Sequence, residues 1–218
     1  KLPFDPVKDF APIGQSVSLQ NILITHPTLA ARTTRDFIAY AKSNPGKINY
    51  ASSGIGSPGH LAAVLLESMA KIQITHIPYK GGGPAITDLL AGHVPAFFAV
   101  ISTGVPHVQA GKVRGIAVTG NRRAEAVPDV PTIAESGVPG YDMSPWIAAF
   151  APAGTPRAII DKLNTEINRA LRLPDVAQNL STQGVDPWPG TPEEFAARIK
   201  ADYERYAKLI KLTGAKID

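Results

Sequence analysis

The sequence predicts an α/β fold, in which a sheet of parallel-type strands is flanked by helices. Apolar runs of strand length alternate with segments of helical periodicity between residues 21 and 119. The 20 prolines and 19 glycines fall between these segments and separate them. With 44% hydrophobic and 18% charged residues, the 218-residue chain has enough apolar material for a packed core. Strands that alternate with helices favour a parallel sheet with right-handed crossovers.

Most of the predicted elements lie in the first 120 residues. Thr33 or Thr34 is expected to cap the first helix, which the turn residues 44–46 (NPG) should end. Strands are expected at residues 21–25, 48–51, 72–77, 95–101 and 113–119, and helices at residues 33–43, 60–70, 84–91 and 103–110.

The last part of the chain is predicted to be helical after one more strand at residues 146–151. Thr155 and Pro156 resemble a hydroxyl cap followed by proline at the first helical position, and Thr191 with Glu194 forms a capping box. The buried faces are expected to consist of Ile159, Ile160, Leu163, Ile167 and Leu171 in one helix and of Phe195, Ile199, Tyr203, Tyr206 and Ile210 in the next. Such helices need a second sheet to pack on.

Composition and charge exclude several classes of function. The formal net charge of +4 favours anionic partners, but the basic residues are scattered, so we expect no nucleic-acid-binding surface. The chain contains no cysteine, which excludes disulfides and thiolate metal sites. No apolar run reaches the ~20 residues that span a bilayer. Residues 1–4 do not resemble a signal peptide, and since such a peptide is removed on export, the compartment stays open here.

The most suggestive segment is residues 49–60, which run from a strand through a Gly/Ser loop into a helix. Backbone N–H groups at a helix start favour negative charge, glycines permit close approach, and serine hydroxyls add donors. One interpretation is therefore a cradle for a carboxylate or phosphate. Its components would be Ser52, Ser53, Gly54, Gly56 and Ser57.

Two other interpretations of this loop remain open. Gly54, Gly56 and Gly59 match the G-x-G-x-x-G pattern, which would make the chain a nucleotide-dependent α/β enzyme. That pattern also needs an acidic residue about 20 positions later, and residues 76–81 (HIPYKG) contain none. The third interpretation is that the loop does no more than cap its helix.

Two further loops follow predicted strands in the same way, at residues 76–84 (HIPYKGGGP) and 100–107 (VISTGVPH). Lys80 precedes its glycines and no Gly-Lys-Ser/Thr follows, which argues against a P-loop. A tight turn in the first loop and a helix cap at Ser102 in the second are the alternatives to a ligand role. Because parallel strands end at the same edge of a sheet, all three loops are expected to lie together there.

The sequence predicts no catalytic residue and no metal site. The five histidines are not paired at helical spacing, and no carboxylates cluster with them. Asp88 and Asp129 are isolated, and no G-x-S-x-G elbow is present, so neither a paired-carboxylate nor a serine hydrolase is indicated.

Five segments of the chain resemble the substrate-binding protein family of tripartite tricarboxylate transporters, which is also called TctC or Bug. The segments occur in the family order and span nearly the whole chain. They are residues 50–62 (YASSGIGSPGHLA), 76–90 (HIPYKGGGPAITDLL), 106–114 (PHVQAGKVR), 129–141 (DVPTIAESGVPGY) and 151–156 (APAGTP).

The resemblance implies a two-lobed, hinged fold of the type II periplasmic binding proteins. Residues 21–120 would form the second lobe, while residues 1–20 and 121–218 would form an incomplete first lobe. It also implies a periplasmic solute-binding protein rather than an enzyme, with no cofactor and a small di- or tricarboxylate, or a related organic acid, as its ligand. The expected partners are this acid and the membrane subunits of a tripartite tricarboxylate-type transporter, without nucleic acid or membrane insertion.

The resemblance and the loop chemistry together assign ligand binding to residues of all three loops. These residues are Ser52, Ser53, Gly54, Gly56, Ser57, His60, Tyr79, Gly81, Ala99, Ser102 and Thr103.

The chain departs from the family in one respect. Family members begin with a βα unit that carries a Pro/Gly-rich carboxylate-binding loop, whereas the sequence here opens on the segment that follows this unit. We therefore expect either a fragment or a unit supplied elsewhere, with half of the ligand shell on that unit. Without it, the C-terminal helices should expose apolar faces.

Overall fold

The computed structural model of the chain describes residues 3–213. Strands and helices alternate through most of this range, which confirms the predicted α/β class. The strands are β1 (Phe10–Ser18), β2 (Asn21–Thr25), β3 (Asn49–Ser52), β4 (Thr75–Pro78), β5 (Ala96–Val100), β6 (Arg114–Val118), β7 (Trp146–Pro152) and β8 (Asp186–Pro187). The helices are α1 (Thr34–Ser43), α2 (Pro58–Ala70), α3 (Gly82–Leu90), α4 (Ile101–Gln109), α5 (Arg157–Leu171), α6 (Pro174–Thr182) and α7 (Pro192–Thr213).

Five strands form the larger sheet, in the order β4-β3-β5-β2-β6. Strand β3 is parallel to β4 and β5, whereas β2 is antiparallel to both of its neighbours, β5 and β6. The prediction of parallel strands throughout this sheet is therefore wrong for β2. The chain enters β2 directly from β1, a strand of the other sheet, so no crossover helix forces it to run parallel.

Helices cover both faces of the larger sheet. On one face, Phe37 of α1 and Leu66 of α2 pack in a buried cluster with Phe98 of β5. On the other face, Leu89 of α3 packs in a second cluster with Phe97, the neighbour of Phe98 on β5. Because successive side chains of a strand point to opposite faces, this strand joins the two halves of the core.

The first helix begins and ends as its sequence predicts. Thr33 caps α1, since its hydroxyl accepts from the N–H of Asp36 at 3.1 Å. The carboxylate of Asp36 accepts from the N–H of Thr33 at 3.0 Å, which completes a capping box. The N–H of Asn44 closes the other end on Tyr40 O.

A smaller sheet, in the order β7-β1-β8, provides the surface on which the C-terminal helices pack. Strand β1 is antiparallel to both neighbours, and α5 and α7 both contact it. The buried cluster beneath α5 consists of Ile13, Ala151 and Ile160. Strand β1 is not predicted from the sequence, because Pro12 and Gly14 interrupt its pattern.

Two connections join the sheets, one through residues 19–20 and the other through residues 119–145. The buried hydroxyl of Thr119 ties them together: it accepts from the N–H of Asn21 and donates to Met143 O, both at 2.9 Å. The division into lobes at residues 21–120 stays a prediction. Residues 1–2 and 214–218, which that division assigns to the first lobe, lie outside the described residues.

The predicted start of α5 is wrong, whereas that of α7 is confirmed. Pro156 occupies the cap position of α5, and the hydroxyl of Thr155 donates to Pro152 O at 2.8 Å. Thr191 and Glu194 form the predicted capping box at α7, with hydrogen bonds of 2.8 and 3.1 Å.

The smaller sheet leaves part of each C-terminal helix uncovered. Ile160 and Leu171 of α5 are buried, but Ile159 is 49% exposed. On α7, Phe195 is buried, while Tyr203 is 60% exposed. The predicted buried faces are therefore wrong at four positions, because three strands cover less than the width of two helices. These positions are Ile159, Leu163, Tyr203 and Ile210.

Candidate functional site

Three helices begin at one edge of the larger sheet. The neighbouring parallel strands β4, β3 and β5 are followed by α3, α2 and α4, respectively. Their carboxyl ends lie side by side, as the sequence predicts, so the three helix N-termini lie close together. Helix N-termini carry partial positive charge and backbone N–H groups without helical partners. This edge is therefore suited to an anion.

Backbone hydrogen bonds join the loop after β3 to the loop after β4. The N–H of Tyr79 donates to Ser52 O at 3.1 Å, and the N–H of Gly81 donates to Ser53 O at 3.2 Å. Gly54 lies against the same segment, since a Cβ built on it would come 3.4 Å from Tyr79 O. The structure thus brings together residues from two of the loops singled out in the sequence.

The loop after β5 adjoins the loop after β4. A Cβ built on Gly82, the first residue of α3, would come 3.4 Å from the hydroxyl oxygen of Thr103 on α4. Ser102 is exposed and Thr103 half-buried in the first turn of α4. Ala99 is fully buried in β5, so its side chain belongs to the core.

The hydroxyl of Ser52 is buried and holds its own loop. Its Oγ atom lies 2.6 Å from Nε2 of His76 on β4. It also lies 2.9 Å from the carbonyl oxygen of Gly54 and accepts from the N–H of Gly54 at 3.1 Å. These contacts fix the bend that leads from β3 into the loop.

His60 anchors the other end of this loop. Its Nδ1 atom accepts a hydrogen bond from the N–H of Gly56 at 3.0 Å. The hydroxyl of Ser57 caps α2 and accepts from the N–H of His60 at 3.4 Å. The rings of His60 and His76 stack with their centroids 4.0 Å apart and their planes 8° from parallel.

Both stacked imidazoles are held in the neutral form. Burial lowers the pKa of His60. Burial and, second, the neighbouring His60 lower the pKa of His76 to about 4. Desolvation disfavours the charged imidazolium, and two such cations at stacking distance would repel each other. A neutral His60 whose Nδ1 accepts carries its proton on Nε2.

Tyr79 and Gly81 shape the loop after β4. The hydroxyl of Tyr79 donates to the carboxylate of Asp88 at 2.7 Å. Burial and this contact raise the pKa of Tyr79 to about 12, so its hydroxyl stays protonated. Gly81 has a φ of 109°, a conformation that residues with a Cβ rarely adopt.

Within residues 3–213, no group of three or more histidine and acidic side chains is arranged to hold a metal ion. In the same range, no helix is both long and apolar enough to cross a bilayer.

A family model described as the tripartite tricarboxylate transporter family receptor matches residues 1–215. The chain belongs to this receptor family. The UPF0065 protein in the tcbD-tcbE intergenic region of Pseudomonas sp. (strain P51) is 37% identical over 211 residues. The match covers 96% of the chain and 63% of that relative, so the chain spans less than two thirds of the relative's length.

Two solved structures share the fold of this chain. The structure of R. palustris Rpa4515 with adipate has a TM-score of 0.89 and 34% identity, over 98% of this chain and 72% of that one. MatC (Rpa3494) from Rhodopseudomonas palustris with bound malate has a TM-score of 0.83 and 31% identity, over 96% and 72%. These matches confirm the predicted receptor family and the predicted type II binding-protein fold.

Two residues beside the loops are absent from the site predicted by sequence. His76 lies opposite Tyr50 on the parallel strand β4, and this pairing brings it to Ser52. Trp146, a half-buried residue of β7, lines a cleft with Gly56. His76 lies in a predicted strand, so the pairing of neighbouring parallel strands could have indicated its contact with Ser52. Nothing local in the sequence places Trp146 near a loop 90 residues earlier.

Proposed function

We propose that the protein to which this chain belongs is a periplasmic solute-binding protein that captures a small carboxylate. The observation that carries the proposal is the meeting of three helix N-termini, α2, α3 and α4, at one edge of the larger sheet. The solved structures with adipate and malate support it, because both ligands are carboxylates. Backbone N–H and hydroxyl groups can stabilise a carboxylate without a charged partner.

One carboxylate would lie at the start of α2, against the loop formed by residues 52–57. Tyr79 and Gly81 would border the ligand on one side. Ser102 and Thr103 would border it on the other, where their position in the first turn of α4 lets their hydroxyls add donors. In this arrangement His60 and Ser52 affect ligand binding indirectly, because their hydrogen bonds maintain the shape of the loop.

The ligand would be released unchanged to the membrane subunits of a tripartite tricarboxylate-type transporter. A binding role suits the side chains around the loop: the buried hydroxyl of Ser52 is engaged with His76 and Gly54, and both imidazoles are neutral. A nucleotide-dependent enzyme is the alternative. It is less well supported, because β4 ends at Pro78 without the carboxylate that a ribose-binding site requires.

Calorimetric titration of the whole protein to which this chain belongs tests the proposal. Succinate, malate, adipate and citrate form the panel, with adipamide as the neutral control and NAD as the test of the alternative. We expect saturable binding of at least one acid and none of adipamide. Ser102→Ala should weaken that binding by roughly tenfold, since a hydrogen bond to a charged group is lost. Ser43→Ala, at the end of α1, is the matched control and should bind as the parent does.

Failure of every acid to bind the folded whole protein would contradict the proposal. Binding of NAD in place of the acids would favour the enzyme alternative.

A further inference from the structure

An apolar cleft lies directly beside the proposed carboxylate site. One wall comes from the loop before α2 and the start of that helix, and the other from β7, the segment before it and α7. Its volume is about 190 Å³. The residues that line it include Gly56, Pro58, Leu61, Met143, Trp146 and Tyr206.

The polar atoms of the two aromatic side chains have hydrogen-bond partners within the protein. The indole N–H of Trp146 donates to the carboxylate of Asp202 at 2.8 Å. The hydroxyl of Tyr206 accepts from the guanidinium of Arg205 at 3.3 Å. The cleft is therefore walled mainly by carbon atoms of Leu61, Met143 and the two rings. A hydroxyl or second carboxylate placed against the carbon atoms of Leu61, Met143 and Trp146 would lose water without gaining a partner, whereas the O–H of Tyr206 can still donate.

The size of the cleft sets the size of its occupant. A dry apolar cavity of about 150 Å³ is large enough to bind benzene. A cleft somewhat larger than this holds a chain or ring of about six carbon atoms. Both Pro58, the first residue of α2, and Gly56, in the loop before the helix, line the cleft, and the carboxylate is proposed to lie against this loop and helix start. One ligand can thus fill the cleft and reach the donors of α2.

We propose that the ligand is a carboxylate with an apolar body of about six carbon atoms, seated in this cleft with its carboxylate at the start of α2. The proposal rests on the proposed carboxylate-binding function and narrows the ligand class. Carboxylic acids with an unsubstituted hydrocarbon chain should bind with higher affinity than short acids rich in hydroxyl or carboxylate groups. Specificity arises because burial of a methylene group in the cleft strengthens binding, whereas burial of a polar group weakens it.

Calorimetry with acetate, butanoate and hexanoate tests chain length, with malate and citrate as polar competitors. Affinity should rise about fourfold for each added methylene up to hexanoate. Malate and citrate should bind roughly tenfold or more weakly than hexanoate. Leu61→Phe fills the cleft and should abolish the gain from acetate to hexanoate. Met69→Phe, an exposed position near the other end of α2, is the matched control and should leave that gain unchanged.

The outcomes separate this inference from the function on which it rests. Tighter binding of malate or citrate than of hexanoate would overturn the apolar-body proposal and leave carboxylate binding intact. It would also be overturned if the affinity of the unsubstituted protein did not change with the number of carbon atoms in the acid. This outcome does not depend on whether Leu61→Phe folds. Absence of binding by every acid would overturn both proposals.

Discussion

The Nδ1 atom of His60 accepts a hydrogen bond from the backbone N–H of Gly56 at 3.0 Å. His60 lies in the first turn of α2 and Gly56 in the loop before it, so this bond folds the loop back onto its own helix. A ring nitrogen accepts only when it is unprotonated, and burial favours that state by lowering the pKa of His60. The shape of the loop therefore depends on a neutral imidazole.

Loss of this acceptor should weaken carboxylate binding. We expect H60L to bind about fivefold more weakly, which corresponds to one net hydrogen bond of about 1 kcal/mol. H60N is the conservative control, because its side-chain oxygen is separated from Cα by the same number of bonds as Nδ1. Calorimetric titration of both variants measures the effect. Equal affinities for H60L and the parent chain, with both folded, would show that the loop does not need this bond.

The pKa of His76 makes stability depend on pH. Its value is lowered from 6.5 to about 4, so between these values the unfolded chain takes up a proton that the folded chain does not. The free energy of unfolding should consequently fall as the pH drops from neutral to about 5. The stacked His60, whose pKa is also lowered, adds to the fall.

Urea unfolding at the two pH values measures this dependence. H76Q should show a smaller fall than the parent chain, because it lacks the titrating ring. H107Q, a replacement of a half-buried histidine on α4, serves as the matched control and should retain the full fall. An equally steep fall in H76Q would assign the acid sensitivity to other groups.

Local hydrogen bonds and apolar runs made parts of the fold predictable from sequence. The predicted cap at Thr33 or Thr34 and the predicted capping box at Thr191 depend only on nearby residues, and Thr33 and Thr191 do cap their helices. Strand β2 is fully buried and has the predicted bounds. A run of five residues without an ionisable side chain favours a buried strand at this position. The meeting of the three loops followed from the rule that neighbouring parallel strands end together.

Features that depend on contacts between distant residues were not predictable. The direction of β2 is set by the strand that precedes it, and β1 pairs with β7 more than 120 residues later. The exposure of Tyr203 reflects the width of a sheet that local periodicity does not reveal. The cleft between Gly56 and Trp146 likewise exists only because the two sheets adjoin.

Asp202 should contribute strongly to stability and to the environment of Trp146. It is 8% exposed and accepts from the indole N–H of Trp146, with the guanidinium groups of Arg198 and Arg205 at 3.4 and 3.1 Å. D202A would remove the shared acceptor of the indole N–H and of two partly exposed guanidinium groups. The expected cost is about 1–2 kcal/mol in the free energy of unfolding, because the two guanidinium groups keep access to water.

Urea unfolding measures that cost, and tryptophan emission in a W188F background reports on Trp146 alone. We expect a red shift for D202A, because the ring loses its anchor and meets more water. E204A replaces an exposed acidic residue on the same helix and should change neither observable. A stable D202A with unaltered emission would show that the buried carboxylate does not hold the ring.

Gly59 should be the least replaceable glycine at the start of α2. A Cβ built at this position would overlap the carbonyl oxygen of Phe98 on β5, so G59A must push the helix away from the sheet. Overpacking of this kind costs about 1–3 kcal/mol. The displaced helix would also carry its capped loop away from Tyr79, so the affinity for a carboxylate should fall with the stability.

Gly83 provides the matched control, because a Cβ there would meet no heavy atom within 4 Å. It lies in the first turn of α3 directly before Pro84, which disfavours helical backbone for a residue with a Cβ, so G83A should lower the stability, but by less than G59A does. The midpoint of urea unfolding should therefore fall further for G59A than for G83A. If G59A matched the parent chain in stability and affinity, α2 would be free to move on β5, and its N-terminus would not be the fixed point that a carboxylate site requires.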